Sequence, residues 1–351
     1  MIDTDLLNRL RMIANQGLKT KRLYNLKGSS AALLFALYDE PFLIVVSNEE
    51  RAHEICKDIN FFRDTLKQEH IIFLPDPNGP PLSGKRAKVV HSLNVNTSLV
   101  SSLKNLTSPL WSQRELSHHV LDLTRRMEIS RNELERRLQE MGYRSVPLVV
   151  EEGEYSRRGW IFDIYPSTYE MPLRFEFFGD EIESMKFFDV ETQRSTEVVS
   201  QCLLFPARDP SSGITLLNLT NSTKHIFSDS IQERDVFPEG ATFFSRYAIE
   251  GIGYDPGFLS IQGLGITPDE RKHIDELPQK MRLLQKDNKI LIIASSNGQA
   301  ERLKNILIEG DVVAPIIGTS DIFEYEGAIS ITIGELSSGL FFPYTPGLIR
   351  S

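Results

Sequence analysis

The sequence predicts an α/β fold in which a parallel-sheet domain is interrupted by a small α+β domain with an antiparallel sheet. At 351 residues the chain is long enough for two or three domains. Between residues 6 and 110, short apolar runs such as 42–46 and 71–74 alternate with helix-like segments such as 48–62. This alternation is typical of a parallel α/β layer.

The second domain is predicted to open with a helix that has clear signals at both ends. Ser130 is a capping residue, Glu133 follows three positions later as in a capping box, and Gly142 ends the helix. The apolar residues between them fall on one helix face, and they are Leu134, Leu138 and Met141.

Segments with a period of two follow this helix, at 159–166 and 173–178, and Gly179-Asp180 provides a turn into 181–189. We therefore expect an antiparallel sheet with one face against the helix and the other toward solvent or a partner.

The third stretch is rich in Gly, Pro and Ser from 206 to 268. A strand–helix–strand pattern then returns at 289–294, 297–308 and 328–333. This pattern favours α/β material that completes the first domain. The expected domains are thus 1–114, the inserted 115–206, and 207–351.

Composition and charge exclude several classes of protein. With 39 basic and 48 acidic residues, the net charge of −9 gives no long-range attraction to nucleic acid or an anionic membrane. The two cysteines, Cys56 and Cys202, fit neither a disulfide framework nor a zinc site. Without a signal peptide or a long apolar run, we expect a cytoplasmic protein that does not cross a membrane.

Two segments resemble phosphate-binding loops, and both lack essential groups. The segment Gly28-Ser29-Ser30-Ala31-Ala32 precedes a helix, but alanines stand where a lysine and a threonine would bind phosphate and magnesium. The string 79–86 matches GxxxxGK, but Pro80 and Pro81 have no N–H groups to offer a phosphate. The sequence predicts neither a metal site nor a catalytic group of residues.

One strand face combines charge with an aromatic ring. Along 173–178, Arg174, Glu176 and Phe178 share the face opposite Leu173, Phe175 and Phe177. Arg158, interpreted as the first residue of the preceding strand, would join them if the two strands are neighbours. Arg with aromatic residues is typical of protein–protein hot spots.

The motifs of this region carry a family resemblance. The segments 153–166, 172–183 and 188–194 contain Gly-Glu-Tyr-Ser-Arg-Arg-Gly, Phe-Phe-Gly-Asp-Glu-Ile and Phe-Asp-Val-Glu-Thr-Gln-Arg, and 204–207 is Leu-Phe-Pro-Ala. In this order and spacing they resemble the middle domain shared by UvrB and the transcription-repair coupling factors. The altered Gly28 loop and the short connection from 75 to 84 make the N-terminal, UvrB-like module of the coupling factors the better match.

This resemblance implies a degenerate P-loop-type first domain without ATPase activity or cofactor, and an inserted domain that binds the damage-sensing subunit UvrA. It places the UvrA contacts on Arg158, Arg174 and Phe178. It further implies that contacts with DNA and RNA polymerase belong to domains further along a full-length protein.

Two other functions stay open at this point. The Gly28 loop or the 79–85 string would bind ATP in a nucleotide-binding, ATPase-like domain. Lys85, Arg86 and Lys88 would make weak, salt-dependent contacts with DNA. The sequence leaves undecided whether the chain is a fragment or a freestanding protein.

Overall fold

The computed structural model describes residues 4–77, 83–220, 223–228, 237–238, 240–245, 253–257, 276–286 and 288–341. The chain divides into two compact units. The first comprises Met1–Phe73, Asn96–Val100 and Thr223–Ser351, and the second comprises Leu74–Val95 and Ser101–Ser222. The second unit therefore interrupts the first in sequence. The string 79–86 is described only from Ser83 onward, and much of the predicted Gly-, Pro- and Ser-rich stretch lies outside the described residues.

The α-helices of the described residues are, in chain order, α1 (Thr4–Leu18), α2 (Ser30–Ala36), α3 (Glu49–Thr65), α4 (Ser83–Ser92), α5 (Lys104–Thr107), α6 (Gln113–His119), α7 (Arg131–Glu140), α8 (Leu216–Leu219), α9 (Leu277–Leu284) and α10 (Asn297–Glu309). A single 3-10 turn is described at Thr319–Asp321. No helix among the described residues is long and apolar enough to span a bilayer.

The β-strands of the described residues are β1 (Arg22–Leu23), β2 (Phe42–Val46), β3 (Ile72–Leu74), β4 (Leu99–Ser102), β5 (Leu121–Thr124), β6 (Arg144–Ser145), β7 (Glu154–Arg158), β8 (Ile161–Tyr165), β9 (Leu173–Phe178), β10 (Glu181–Phe188), β11 (Ser195–Val198), β12 (Gln201–Leu204), β13 (Lys224–Ser228), β14 (Thr242–Phe244), β15 (Ile290–Ala294), β16 (Ile316–Ile317) and β17 (Ile329–Ile333).

A six-stranded sheet with the order β1-β14-β13-β2-β4-β3 forms the base of the α/β architecture. Strand β13 pairs in parallel with both β2 and β14, and β1 pairs in parallel with β14. Every residue of β2 is buried, as expected for a parallel strand covered on both faces. Helix α3 follows β2 and is capped by Asn48, whose side chain accepts a hydrogen bond from the backbone N–H of Arg51 at 2.9 Å.

The predicted strand–helix–strand pattern after residue 289 forms a sheet of its own. Strand β17 lies between β15 and β16 and pairs in parallel with each of them. The six-stranded sheet is instead completed by β13 and β14, which precede this pattern in the chain. Together the two parallel sheets confirm the predicted α/β class.

The second unit contains the predicted antiparallel sheet, in the order β11-β10-β9-β8-β7-β6. Neighbouring strands run antiparallel except for the short parallel pair β6 and β7. Helix α7 begins where the capping signal predicts, because the Ser130 side chain accepts from the backbone N–H of Glu133. Its residues Leu134 and Leu138 are buried in one apolar cluster with Phe162 and Phe175 of the sheet. Strands β5 and β12 form a separate antiparallel pair.

Candidate functional site

The antiparallel sheet has an apolar face and a polar face, and β9 shows the division clearly. Leu173, Phe175 and Phe177 are buried on the side of the apolar cluster. Arg174 and Glu176 are half-buried on the opposite side, where Phe178 is exposed. The alternation predicted from sequence is therefore the one observed. We call this opposite side the polar face.

Asp163 of β8 lies at the centre of the polar face and binds two arginines. Its side chain is completely buried, at 0% exposure. Arg174 donates from Nε to Oδ1 at 2.7 Å and from NH2 to Oδ2 at 2.9 Å. Arg158 donates from NH2 to Oδ2 at 2.5 Å. One buried carboxylate thus fixes the positions of two guanidinium groups on different strands.

The position of Arg158 differs from the sequence interpretation. It is the last residue of β7, because Gly159 and Trp160 form the turn into β8. Strands β7 and β9 are not neighbours, since β8 lies between them. Arg158 and Arg174 nevertheless meet, because β8 contributes Asp163 between them.

Arg174 offers little of its surface to a partner. Its side chain is 12% exposed, and its NH1 donates to the backbone oxygen of Gln193 at 2.9 Å. The guanidinium carbon lies 4.5 Å from the ring centroid of Phe188, within cation–π distance. Hydrogen bonds to Asp163 raise the pKa of Arg174 above its ordinary value, against the burial that lowers it. Arg174 is therefore a permanently charged, internally engaged residue.

Glu176 continues the alternation of charge along the polar face. It accepts from the hydroxyl of Ser184 and from Nζ of Lys186, the latter at 3.0 Å. The hydrogen bond from Ser184, followed by that from Lys186, lowers the pKa of Glu176 below its usual range. Lys186 lies opposite Arg174 in the register of β10 and β9. The polar face thus carries two hydrogen-bonded groups of charges, one around Asp163 and one around Glu176.

The exposed groups lie at the end of the sheet formed by two turns. Phe178, the last residue of β9, is 78% exposed and precedes Gly179, which has a φ of +64° in the turn to β10. Arg158 at the end of β7 keeps 43% of its side chain exposed. The structure therefore gathers the three predicted residues on one face, with Phe178 and Arg158 accessible and Arg174 mostly covered.

Sequence reasoning missed Asp163 and Trp160. Asp163 lies in the apolar run Ile161-Phe162-Asp163-Ile164, where a lone carboxylate between apolar residues was the available signal for a buried ion pair. Trp160 is 67% exposed in a turn, whereas the sequence pattern placed it within the predicted strand segment 159–166; the glycine before it was the available signal for a turn.

The Gly28 loop is filled by the chain itself. Ser30, Ala31 and Ala32 are buried in α2 and its start. The Ser29 hydroxyl donates to the backbone oxygen of Ser338 at 2.6 Å, and a Cβ placed on Gly28 would overlap the backbone of Gly339. In this structure the loop that resembles a degenerate phosphate loop binds a backbone segment of the same unit.

Asp58 of α3 strengthens this contact. The Asp58 carboxylate accepts from the hydroxyl of Ser337 at 2.5 Å, and it lies 2.7 Å from the hydroxyl oxygen of Ser29. It also accepts from the backbone N–H of Ser337 at 2.8 Å. The loop, the helix and the segment 337–339 therefore form one polar cluster in the first unit.

The structure removes Arg86 from the predicted set of DNA-contacting cations. Its side chain is 1% exposed and pairs with Asp209 at 2.6 Å. Its NH2 group donates to Oδ1 of Asn105 at 2.8 Å. Lys85 and Lys88, by contrast, are exposed on α4.

Within the acidic group at 151–154, Glu154 is buried. It accepts from the backbone N–H groups of Val150 and Glu151, each at 2.9 Å, and from Arg144 at 2.7 Å. Burial raises its pKa, but these hydrogen bonds outweigh burial and hold the pKa below the usual range. Glu154 organises the chain before β7.

The described residues contain no group of His, Cys, Asp and Glu arranged to hold a metal ion. Cys56 and Cys202 are both buried free thiols, and burial raises the pKa of each to about 12. Protonated, inaccessible thiols are poor nucleophiles and poor ligands.

An α+β unit whose sheet presents a polar, arginine-rich face and an exposed phenyl ring has the features of a protein-interaction domain. Residues 121–209 match the family described as the UvrB interaction domain, and the motif 153–166 and the polar face both lie inside this match. The chain therefore contains a UvrB interaction domain, as the sequence motifs indicated.

Curated relatives extend the similarity beyond this domain. The chain is 31% identical over 216 residues to the transcription-repair-coupling factor of Myxococcus xanthus, covering 56% of this chain and 17% of the relative. It is 29% identical over 198 residues to that of Escherichia coli (strain K12), covering 53% and 17%. The corresponding values for Bacillus subtilis (strain 168) are 27% over 216 residues, 56% and 18%. The chain thus resembles these factors over about half of its own length and spans less than a fifth of theirs.

Proposed function

We propose that this chain is a non-catalytic module of transcription-coupled DNA repair that recruits UvrA through the polar face of its antiparallel sheet. The observation that carries the proposal is that one end of the sheet exposes both Arg158, which buried Asp163 holds, and Phe178, and that both lie inside the UvrB interaction domain. An oriented guanidinium and an exposed ring at one sheet end provide recognition of a carboxylate together with apolar contact area.

Arg174 supports the site from within. Because Asp163 is shared, the positive charge of Arg174 stabilises the carboxylate that orients Arg158. Arg158 and Phe178 are the residues that touch UvrA in this proposal, and Arg174 is a positioning residue.

Two features of the first unit support the proposal that the module is non-catalytic. Residues Ala31 and Ala32 have methyl groups where a nucleotide site needs an ammonium and a hydroxyl, and the Gly28 loop already binds Ser338 and Gly339. Calorimetric titration with Mg-ATP is expected to give no heat of binding. A saturable binding isotherm would contradict the non-catalytic assignment.

The main test is the affinity of the chain for purified UvrA, measured by calorimetry or surface plasmon resonance. The double variant R158A/F178A leaves the buried pair of Arg174 and Asp163 in place, so its fold is expected to persist. We expect it to weaken binding by at least about thirtyfold, the range of a hot-spot residue.

A matched double variant serves as the control. Arg136 on α7 is half-exposed in ion pairs with Glu133 and Glu140, and Val198 is 63% exposed on the edge strand β11. The variant R136A/V198A therefore loses the same kinds of group from other parts of the unit. Equal affinities for wild type, R158A/F178A and R136A/V198A would exclude the polar face as the UvrA site.

A further inference from the structure

Trp160 lies at the same end of the antiparallel sheet as Phe178. It follows Gly159, whose φ is +62°, in the turn between β7 and β8. Its backbone oxygen accepts a hydrogen bond from the N–H of Phe177 at 2.9 Å, so the turn is joined to the last residues of β9. Phe178 is the next residue along β9. Two large, exposed aromatic side chains therefore come from neighbouring strand ends.

The surroundings of the two tryptophans differ. Trp111 is partly covered, lies 4.6 Å from the ring of His119, and donates its indole N–H to the backbone oxygen of Arg208. Within the described part of the chain, the Trp160 indole has neither a ring partner nor a hydrogen-bond partner. An exposed indole buries a large apolar area and makes one hydrogen bond when a partner covers it.

Charges of opposite sign flank the aromatic pair. On one side is Arg158, which precedes the Gly159-Trp160 turn and is partly exposed. On the other side are Asp180 and Glu181, both exposed, which follow the Phe178-Gly179 turn. A complementary partner surface has an apolar pocket with a carboxylate on the Arg158 side and a cation on the side of Asp180 and Glu181.

We propose that Trp160 is a second aromatic anchor for UvrA, which contacts that partner at the same end of the sheet as Phe178. This inference rests on the proposed function, because Trp160 lies at the sheet end where Arg158 and Phe178 are exposed. It adds a contact residue to the interface. Arg158 and the acidic turn then determine the orientation in which the sheet end binds.

The experiment compares four forms of the full chain, namely wild type, W160A, F178A and V198A, for binding to UvrA. Val198 is the matched control, because it is an exposed apolar residue of the same sheet on the edge strand β11. We expect W160A and F178A each to weaken binding by about tenfold or more, and V198A by less than about twofold. Circular dichroism of each variant checks that the fold is retained.

A second measurement monitors the environment of Trp160 without substituting the residue. The chain has two tryptophans, so 5-fluorotryptophan labelling gives two ¹⁹F signals, which the variant W111F assigns. On addition of UvrA we expect the Trp160 signal to shift or broaden beyond the uniform broadening of the Trp111 signal. The variant D180K/E181K is expected to weaken binding at low salt and to lose this effect at high salt.

The outcomes separate the two proposals. Suppose that wild type binds UvrA and that F178A weakens binding, while W160A has wild-type affinity and the Trp160 signal does not change. The second anchor is then overturned, and the recruiting function stands. If wild type does not bind UvrA, the recruiting function itself is overturned. If wild type binds UvrA with no loss in R158A/F178A, the polar face is excluded as the UvrA site. Loss of affinity in W160A together with a change of the Trp160 signal supports both.

Discussion

Arg174 and Asp163 form a two-point ion pair between neighbouring strands, with the Asp163 side chain fully buried and the Arg174 side chain 12% exposed. A buried ion pair is not in itself strong evidence for stability, but the loss of one partner leaves an uncompensated charge in a poorly solvated site. In this sheet the same carboxylate also holds Arg158. In the proposed UvrA site, Asp163 therefore contributes both to stability and to the orientation of a contact residue.

The first prediction separates the roles of the two arginines. We expect R174A to lower the free energy of unfolding of the second unit by about 3 kcal/mol, because Asp163 would lose its two-point partner. We expect R158A to cost less than about 1 kcal/mol, because Arg158 is 43% exposed and its ion pair is partly solvated. Urea unfolding followed by circular dichroism measures both.

The affinities of the R158A and R174A variants for UvrA complete the comparison of the two arginines. R158A should weaken binding while unfolding at nearly the wild-type urea concentration, whereas R174A should reduce affinity and stability together. The conservative variant R174K tests the geometry, because an ammonium group cannot make the two parallel hydrogen bonds of a guanidinium. Full stability in R174A would show that Asp163 does not depend on this pair.

The polar face shows which features of the site could be predicted from the sequence and which could not. Period-two alternation along β9 placed Arg174 and Phe178 correctly, and the capping signal at Ser130 placed the start of α7, because both are local properties of the chain. The central role of Asp163 depends on β8 lying between β7 and β9. Strand order results from long-range packing, which local pattern does not contain.

Long-range contact also explains what the sequence left open in the first unit. The residues of the Gly28 loop indicated a missing phosphate site, but the segment that fills the loop lies more than 300 positions further along the chain. Similarly, the alternative of DNA contact took Arg86 to be accessible together with Lys85 and Lys88. The burial of Arg86 follows from its contacts with Asn105 and Asp209, which no local window includes.

The second prediction concerns the filled Gly28 loop. The variant G28A places a methyl group against the backbone of Gly339 at a residue with a φ of +57°. We expect a loss of about 2 kcal/mol or more in the stability of this region, from backbone strain and the steric overlap together. Hydrogen–deuterium exchange of the α2 amides measures the local effect.

Gly179 provides the matched control for this change. Its φ is +64°, and a Cβ placed there has open space around it. G179A therefore carries the backbone cost alone, of about 1 kcal/mol. Equal increases in exchange around the two substituted glycines would contradict the contact between Gly28 and Gly339.

The third prediction is a pH dependence that arises from Glu154. Its pKa in the folded protein is lower than in the unfolded chain, so its ionised form stabilises the fold above about pH 4.3, the ordinary glutamate value. This contribution is lost as the pH falls through the lowered folded pKa. The stability difference between wild type and E154Q should therefore be largest near neutral pH and shrink in acid.

Urea unfolding of both proteins from about pH 7 to about pH 3 tests this sign. Glu151 is the control, because it also pairs with Arg144 but its side chain is 71% exposed. E151Q should differ little from wild type over the whole range, since an exposed ion pair contributes little. A difference between wild type and E154Q that stays constant or grows in acid would rule out a stabilising Glu154 carboxylate.

The fourth prediction assigns Arg86 to the interior of the second unit. Because its guanidinium pairs with Asp209 and donates to Asn105 in a buried site, R86A should lower the free energy of unfolding by about 3 kcal/mol or more. K85E/K88E changes two exposed residues of the same helix and should cost less than about 1 kcal/mol.

Fluorescence anisotropy with a short duplex completes the test. Any weak DNA binding by α4 should fall in K85E/K88E and persist in R86A wherever that variant stays folded. An R86A variant of normal stability and reduced DNA affinity would instead place this arginine at the surface.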